Sequence, residues 1–148
     1  MTLYSLGFAF NSDGTKLVVI TKNRPKWQAG RWNGVGGHVE KGESPKQCVV
    51  REFEEETGVR IEEWQWKNLT VFGGVDARGE EFSVFAFSAF SDKIYDAVTK
   101  TDEPVSIVDV DLNEIRNNGI SNLTWLIGLA LDADQSRIIM HVTYQPPE

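Results

Sequence analysis

Between Gly37 and Val59 the chain reads GHVEKGESPKQCVVREFEEETGV. Glu52, Glu54, Glu55 and Glu56 lie there beside Arg51. Glu52, Glu55 and Glu56 follow i, i+3, i+4 spacing, which at about 100° per residue gathers three carboxylates on one helical face. Like charges that close destabilise an isolated helix. A hard cation such as Mg²⁺, with Mn²⁺ as the alternative, prefers oxygen ligands and relieves that repulsion. Metal held this way usually works on phosphates. A solvated acidic face is the ordinary reading of a glutamate run. Here the run coincides with a capped start, a glycine-rich approach and an arginine.

The elements that must position these groups are legible. Ser44 is an N-cap, Pro45 takes the first helical position and Gln47 completes an S-x-x-Q capping box. Gly58 follows the last turn, where a left-handed residue is wanted. The spacing predicts a helix over roughly Pro45 to Thr57, with Val49, Val50 and Phe53 on a packing face. Arg51 stands one turn before Glu55 and can order a carboxylate. Tyr4–Asn11 and Lys16–Lys22 read as strands around an Asp13-Gly14 turn. Asn23–Arg31 reads as a polar loop, and Trp32–Glu40 as glycine-rich and extended. Trp64–Val75 and Glu81–Ser91 are strand candidates on either side of a turn at Asp76–Glu80. Ser106–Val110 is a further strand and Leu123–Leu131 a second helix packed on a sheet. Ile138–Tyr144 is read as an edge strand. Periodicity alone yields a mixed α and β chain.

The 23 residues resemble the Nudix box, G-x5-E-x7-R-E-U-x-E-E-x-G-U, where U is bulky and apolar. Gly37, Glu43, Arg51, Glu52, Phe53, Glu55, Glu56, Gly58 and Val59 fill every defined position. Phe53 is aromatic where aliphatic residues are commoner. The resemblance implies one Nudix domain over residues 1–148 with its box at 37–59. The implied fold is α+β, a mixed β-sheet sandwiched between helices in α/β/α layers. It also implies hydrolysis of a nucleoside diphosphate linked to a group X. Glu52, Glu55 and Glu56 become the metal-facing carboxylates, with a carbonyl of Gly36 or Gly37 completing the site. Metal would polarise phosphoryl oxygens and acidify a water, a carboxylate would take the proton, and the water would attack phosphorus in line. Glu52 is the first candidate for the base or its metal partner. Glu103 is the second, against the alternative of a solvated loop glutamate. Glu43 and Arg51 orient the helix acids.

Specificity must lie outside the box. Gly30–Val35 resembles the segment leading into the box of MutT-type members, which clean oxidised nucleotides, and makes Asn33 a candidate for contact with a purine. Asn122 matches a position where such members carry a base-contacting Asn or Asp; a plain helix N-cap is its other reading. Trp27 and Trp32 flank the loop, and one of them would stack on a base. Trp64, Trp66 and Trp125 are assigned to the core. Lys22, Arg24 and Arg31 are phosphate candidates against a solvated default. Cys48 reads as a small packing residue. With two histidines a His-based metal site is not indicated, and no triad for a Ser or Cys nucleophile is present.

The preferred reading is a Mg²⁺-dependent pyrophosphohydrolase that converts a nucleoside triphosphate, oxidised or modified, to monophosphate and pyrophosphate. Dinucleoside polyphosphates, ADP-ribose and nucleotide sugars are alternatives within the family. Phe72–Asp76 lacks the proline common in ADP-ribose hydrolases. A non-catalytic nucleotide-binding module is the alternative from another class, disfavoured because every box glutamate is kept. The composition agrees. The 148 residues, 41% apolar and 25% charged, suit one globular domain. A net charge of −7 argues against a nucleic acid polymer as partner but not against a small nucleotide arriving with Mg²⁺. One cysteine excludes an internal disulfide. No signal peptide or membrane span is indicated, so the expected location is cytoplasmic. Oligomeric state is left open.

Overall fold

The computed structural model describes residues 1–132 and 143–144. Among the described residues eight strands form one mixed sheet: β1 Thr2–Phe10, β2 Lys16–Thr21, β3 Trp32–Asn33, β4 Val35–His38, β5 Lys67–Val75, β6 Glu81–Phe90, β7 Val105–Asp109 and β8 Thr143–Tyr144. The α-helices of the described residues are α1 Pro45–Thr57, α2 Leu112–Asn118 and α3 Leu123–Ala130. The order is β3-β2-β1-β6-β5-β8, with β4 on β1 and β7 on β2. β1 runs parallel to β6 and antiparallel to β2 and β4.

The central strands are apolar on both sides, so they read as continuous runs, and the pleat sorts them. Leu6, Phe8, Phe10, Leu17 and Val19 join Ile115, Leu123, Leu126 and Ile127 in one core, under α2 and α3. Ala9, Val18 and Ile20 face the other way and join Val49, Val50 and Phe53 of α1. The sheet therefore lies between helices, an α+β fold in three layers as expected. No helix among the described residues is long and apolar enough to cross a membrane.

Most expected elements appear within two residues of their bounds. The strand expected at Trp64–Val75 begins only at Lys67, because Glu63–Gln65 forms a 3-10 turn. That turn sends Trp64 outward, 81% exposed, which corrects its assignment to the core. Trp66 is buried, its indole N–H donating to the Ile61 carbonyl at 3.2 Å. Trp125 is partly buried, edge-on to Phe72. Helix α2 is not expected from the sequence: Ile115 is its one buried residue, so no apolar period announces it. The Asp111 side chain, which caps the Asn113 and Glu114 amides, is its local signal. Of the expected edge strand Ile138–Tyr144, Thr143–Tyr144 pairs parallel with β5, and the rest lies outside the described residues.

Candidate active site

Helix α1 starts and stops where its sequence dictates. Ser44 Oγ accepts from the Gln47 amide at 3.0 Å, and Gln47 Oε1 accepts from the Ser44 amide at 2.9 Å. Gly58 closes the helix at φ 77°, a conformation that costs a side chain-bearing residue strain. Cys48, Val49, Val50 and Phe53 are buried, which fixes the roll of the helix. Cys48 Sγ lies 3.3 Å from the His38 carbonyl and 3.8 Å from that of Gly37, and burial pushes the thiol up to about 11. It packs α1 against β4.

That contact needs the two glycines of β4. Gly36 pairs with Leu6 and Gly37 with Ser5 on β1. A Cβ on Gly36 would overlap the Ser5 carbonyl. A Cβ on Gly37 would stand 2.5 Å from the carboxyl carbon of Glu52. The Glu52 carboxylate therefore lies directly on the Gly37 backbone.

Arg51 organises the acids around it. Its Nε and Nη2 donate to the two oxygens of Glu43 at 2.7 and 3.0 Å. Nη1 donates to Glu52 Oε1 at 2.9 Å and Glu55 Oε2 at 3.2 Å, and Nη2 also reaches the His38 carbonyl at 3.1 Å. The paired guanidinium holds the Glu43 carboxyl down to about 2, and Glu43 Oε1 also accepts from the Glu40 amide. Glu52 is raised above the ordinary carboxylate value by burial, against the pull of Arg51. Glu56 is raised furthest, to about 7, by burial first and then by repulsion from Glu52 and Glu103. Its Oε2 is buried without a hydrogen-bond partner.

One expectation changes here. The spacing places three carboxylates on one face, but the Glu55 side chain is 56% exposed and is drawn aside by Arg51. Among the described residues no group of three or more His, Cys, Asp or Glu is arranged to hold a metal ion. The guanidinium pairs with Glu52 and draws Glu55 aside, and Glu52 still repels the unpaired carboxylate of Glu56. The donor chemistry still fits a hard divalent cation. Both groups are oxygen donors, and the orphaned, raised Glu56 carboxylate carries the electrostatic penalty that a cation relieves.

Glu103 is not a solvated loop residue. It is 7% exposed, accepts from Lys22 Nζ at 3.2 Å and from the Asn23 amide at 2.7 Å, and lies close enough to Glu56 to raise it. The Asn23 contact has no local signal, the two residues being 80 positions apart.

The remaining candidates flank the β3 side. Trp27 is 64% exposed, and Trp32 packs against the core under α2 and α3. Arg31 is exposed and donates to the Gly119 carbonyl at 3.3 Å. The Ile120 amide donates to the Trp32 carbonyl at 3.0 Å, which ties the start of α3 to β3. Asn33 is half-buried, its Oδ1 accepting from the Gly34 amide. Asn122 stands at the N-cap position but makes no cap, because its backbone is already helical at φ −83°, ψ −12°. Its Oδ1 is buried without a partner.

The family model of the NUDIX domain matches residues 4–123. Among curated relatives, the octanoyltransferase of Myxococcus xanthus is 46% identical over 44 residues, 30% of this chain and 12% of that protein. The NAD-capped RNA hydrolase NudC of Photobacterium profundum is 39% identical over 54 residues, 36% of this chain and 18% of that protein. The chain thus spans under a fifth of either relative. Among solved structures, the MutT NUDIX hydrolase of Burkholderia pseudomallei superimposes with a TM-score of 0.69 at 21% identity, covering 88% of this chain and 98% of that one. At that identity the likeness is one of fold. With the domain model matched from β1 to the start of α3, and the Arg51-centred acids set against the β4 glycines inside that match, the chain belongs to the Nudix family.

Proposed function

We propose that this chain is a Mg²⁺-dependent pyrophosphohydrolase of nucleoside triphosphates, with oxidised or modified dNTPs as the leading candidates. It would release a nucleoside monophosphate and pyrophosphate. The observation that carries the reading is the pair Glu52 and Glu56, one lying on Gly37 and held by Arg51, the other buried with an unsatisfied oxygen. Family members generally use a divalent metal, typically Mg²⁺. Here Glu52, Glu56 and a carbonyl of Gly36 or Gly37 would hold it, with Glu55 able to swing in from solvent. When bound, such a cation offsets phosphate charge and makes a water easier to deprotonate.

The chain's own groups supply the rest. Arg51 engages Oε1 of Glu52, which leaves Oε2 to accept the proton of the attacking water. Glu43 engages the guanidinium with both of its oxygens, so the position of Glu52 is inherited from a part-buried ion pair. Asn122 and Asn33 offer amides to a base edge, on segments tied together through Trp32. The unpaired Oδ1 of Asn122 favours a base that presents an N–H there. Trp27 and Arg31 are exposed on the 23–31 loop, available to a base or a phosphate.

The test is a screen of canonical and oxidised dNTPs, ADP-ribose, dinucleoside polyphosphates and nucleotide sugars with Mg²⁺, products identified by mass. Glu56→Gln should lower turnover on the best substrate by a factor of about 100 or more. A wild-type chain that binds nucleotides yet releases no product at any metal concentration would refute hydrolysis.

A further inference from the structure

We propose that Glu103 is a positioning residue that holds the Lys22 ammonium at the Glu56 end of the acidic helix face as a preset anchor for the substrate's phosphate chain. The proposal rests on the nucleotide reading above but assigns Glu103 a different task from proton transfer.

Among the described residues Glu103 is the one charged side chain that is buried. A buried carboxylate is tolerated when both oxygens are served, and here they are. Oε1 takes the Lys22 ammonium at 3.2 Å and Oε2 takes the Asn23 amide at 2.7 Å. These two contacts fix the orientation of the carboxylate and tie it to Lys22 and to the root of the loop, as a positioning role requires.

Around Glu103 the two chain segments are clasped. The Asn23 side chain donates to the Asp102 carbonyl at 2.7 Å, the Thr21 amide to the Pro104 carbonyl at 2.9 Å, and Arg24 pairs with Asp102 at 3.5 Å. Lys22 is also the neck of the 23–31 loop, its amide donating to the Arg31 carbonyl and its carbonyl accepting from the Gly30 amide. Glu103 therefore sets where the loop leaves β2 and where the ammonium stands. That place is at the Glu56 end of α1, where the segment leading to Glu103 is tied to the helix, the Lys100 amide donating to the Glu56 carbonyl at 3.3 Å. A cation at the rim of an acidic cluster, with its long stem held by a buried partner, loses little rotamer freedom when an anionic chain arrives.

The experiment uses the full chain with Mg²⁺ and four variants: Glu103→Gln, Lys22→Ala, the double variant, and Lys22→Arg. Binding of a non-hydrolysable α,β-methylene nucleoside triphosphate is measured by calorimetry, beside kcat and KM on the best triphosphate. Glu103→Gln keeps an acceptor for the Asn23 amide and so preserves the fold. Each single loss should weaken binding about 10-fold, with KM carrying most of the loss in kcat/KM. The double variant should be no worse than the weaker single, and Lys22→Arg should recover most of the affinity. Undiminished binding in Glu103→Gln with a fall in kcat above about 100-fold would place Glu103 in the chemistry and overturn the proposal. Losses that multiply in the double variant would overturn it too. A wild-type chain that binds the analogue but cleaves nothing refutes the hydrolase reading alone, and the binding arm still decides the role of Glu103. A wild-type chain that binds no analogue refutes both.

Discussion

Replacing Glu56 by Gln removes one charge and almost no volume, so it isolates what that charge does to the fold. In the folded chain the carboxyl is raised from 4.5 to about 7 by burial and by its acidic neighbours. A rise of that size corresponds to about 3 kcal/mol at full weight. The side chain is only partly buried, so solvent screening reduces the figure to about 1.5 kcal/mol. The sign follows from linkage. Between pH 4.5 and 7 the folded chain binds more protons than the unfolded one, so this contribution is intact below pH 4.5 and is lost as pH rises through 7. Glu43, held at about 2, acts only at lower pH and does not confuse this window. Glu52 is raised as well, and removing the charge of Glu56 eases it in the same direction.

Thermal unfolding in chelator, followed at steps from pH 5 to 8, should therefore fall more steeply for the wild type than for Glu56→Gln. At pH 8 the variant should be the more stable by about 1.5 kcal/mol, or about 3–6 °C in Tm. Adding Mg²⁺ at pH 8 should raise the wild type by more than the variant, since the cation neutralises a charge the variant lacks. Parallel pH profiles, or a variant less stable than wild type at pH 8 in chelator, would refute the reading of Glu56 as a frustrated carboxylate.

Three further outcomes are expected. Gly36→Ala should unfold or strongly destabilise the chain, because its methyl meets the Ser5 backbone, while Gly37→Ala should fold but lose activity on the order of 100-fold by displacing the Glu52 carboxylate; circular dichroism and kcat separate the two, and an inactive but folded Gly36→Ala would contradict the packing account. Asn122→Ala should change the ranking among bases more than the rate on any one, measured as kcat/KM over the four dNTPs and an oxidised dGTP; an equal loss on all would remove its base-reading role. Glu43→Gln should cost about 2 kcal/mol in chemical denaturation and lower kcat by loosening Arg51, an effect absent if Arg51 keeps Glu52 in place unaided.

The acidic half of the candidate site is legible in the sequence because its physics is local. Caps, charge spacing and the arginine all act within the 22 positions from Gly37 to Gly58, and the structure alters only the share of Glu55, which Arg51 draws toward solvent. The strand pattern is legible for a similar reason, since an apolar run buried on both faces has few other uses. Trp64 and helix α2 escape a sequence reading where length runs out: a 3-10 turn of three residues and a helix of seven with one buried side chain leave no period to count. The other candidate residues depend on contacts between distant segments. Lys22 meets Glu103 across 81 positions and Arg31 meets Gly119 across 88. Read singly, each of these residues has a solvated reading as good as a functional one. What changes their meaning is β7 lying against β2, which brings a loop carboxylate to the root of the 23–31 loop and leaves it no solvent to face. For Asn122 the deciding fact is a backbone angle: already helical, it has no cap to make, and its buried oxygen is left for another donor.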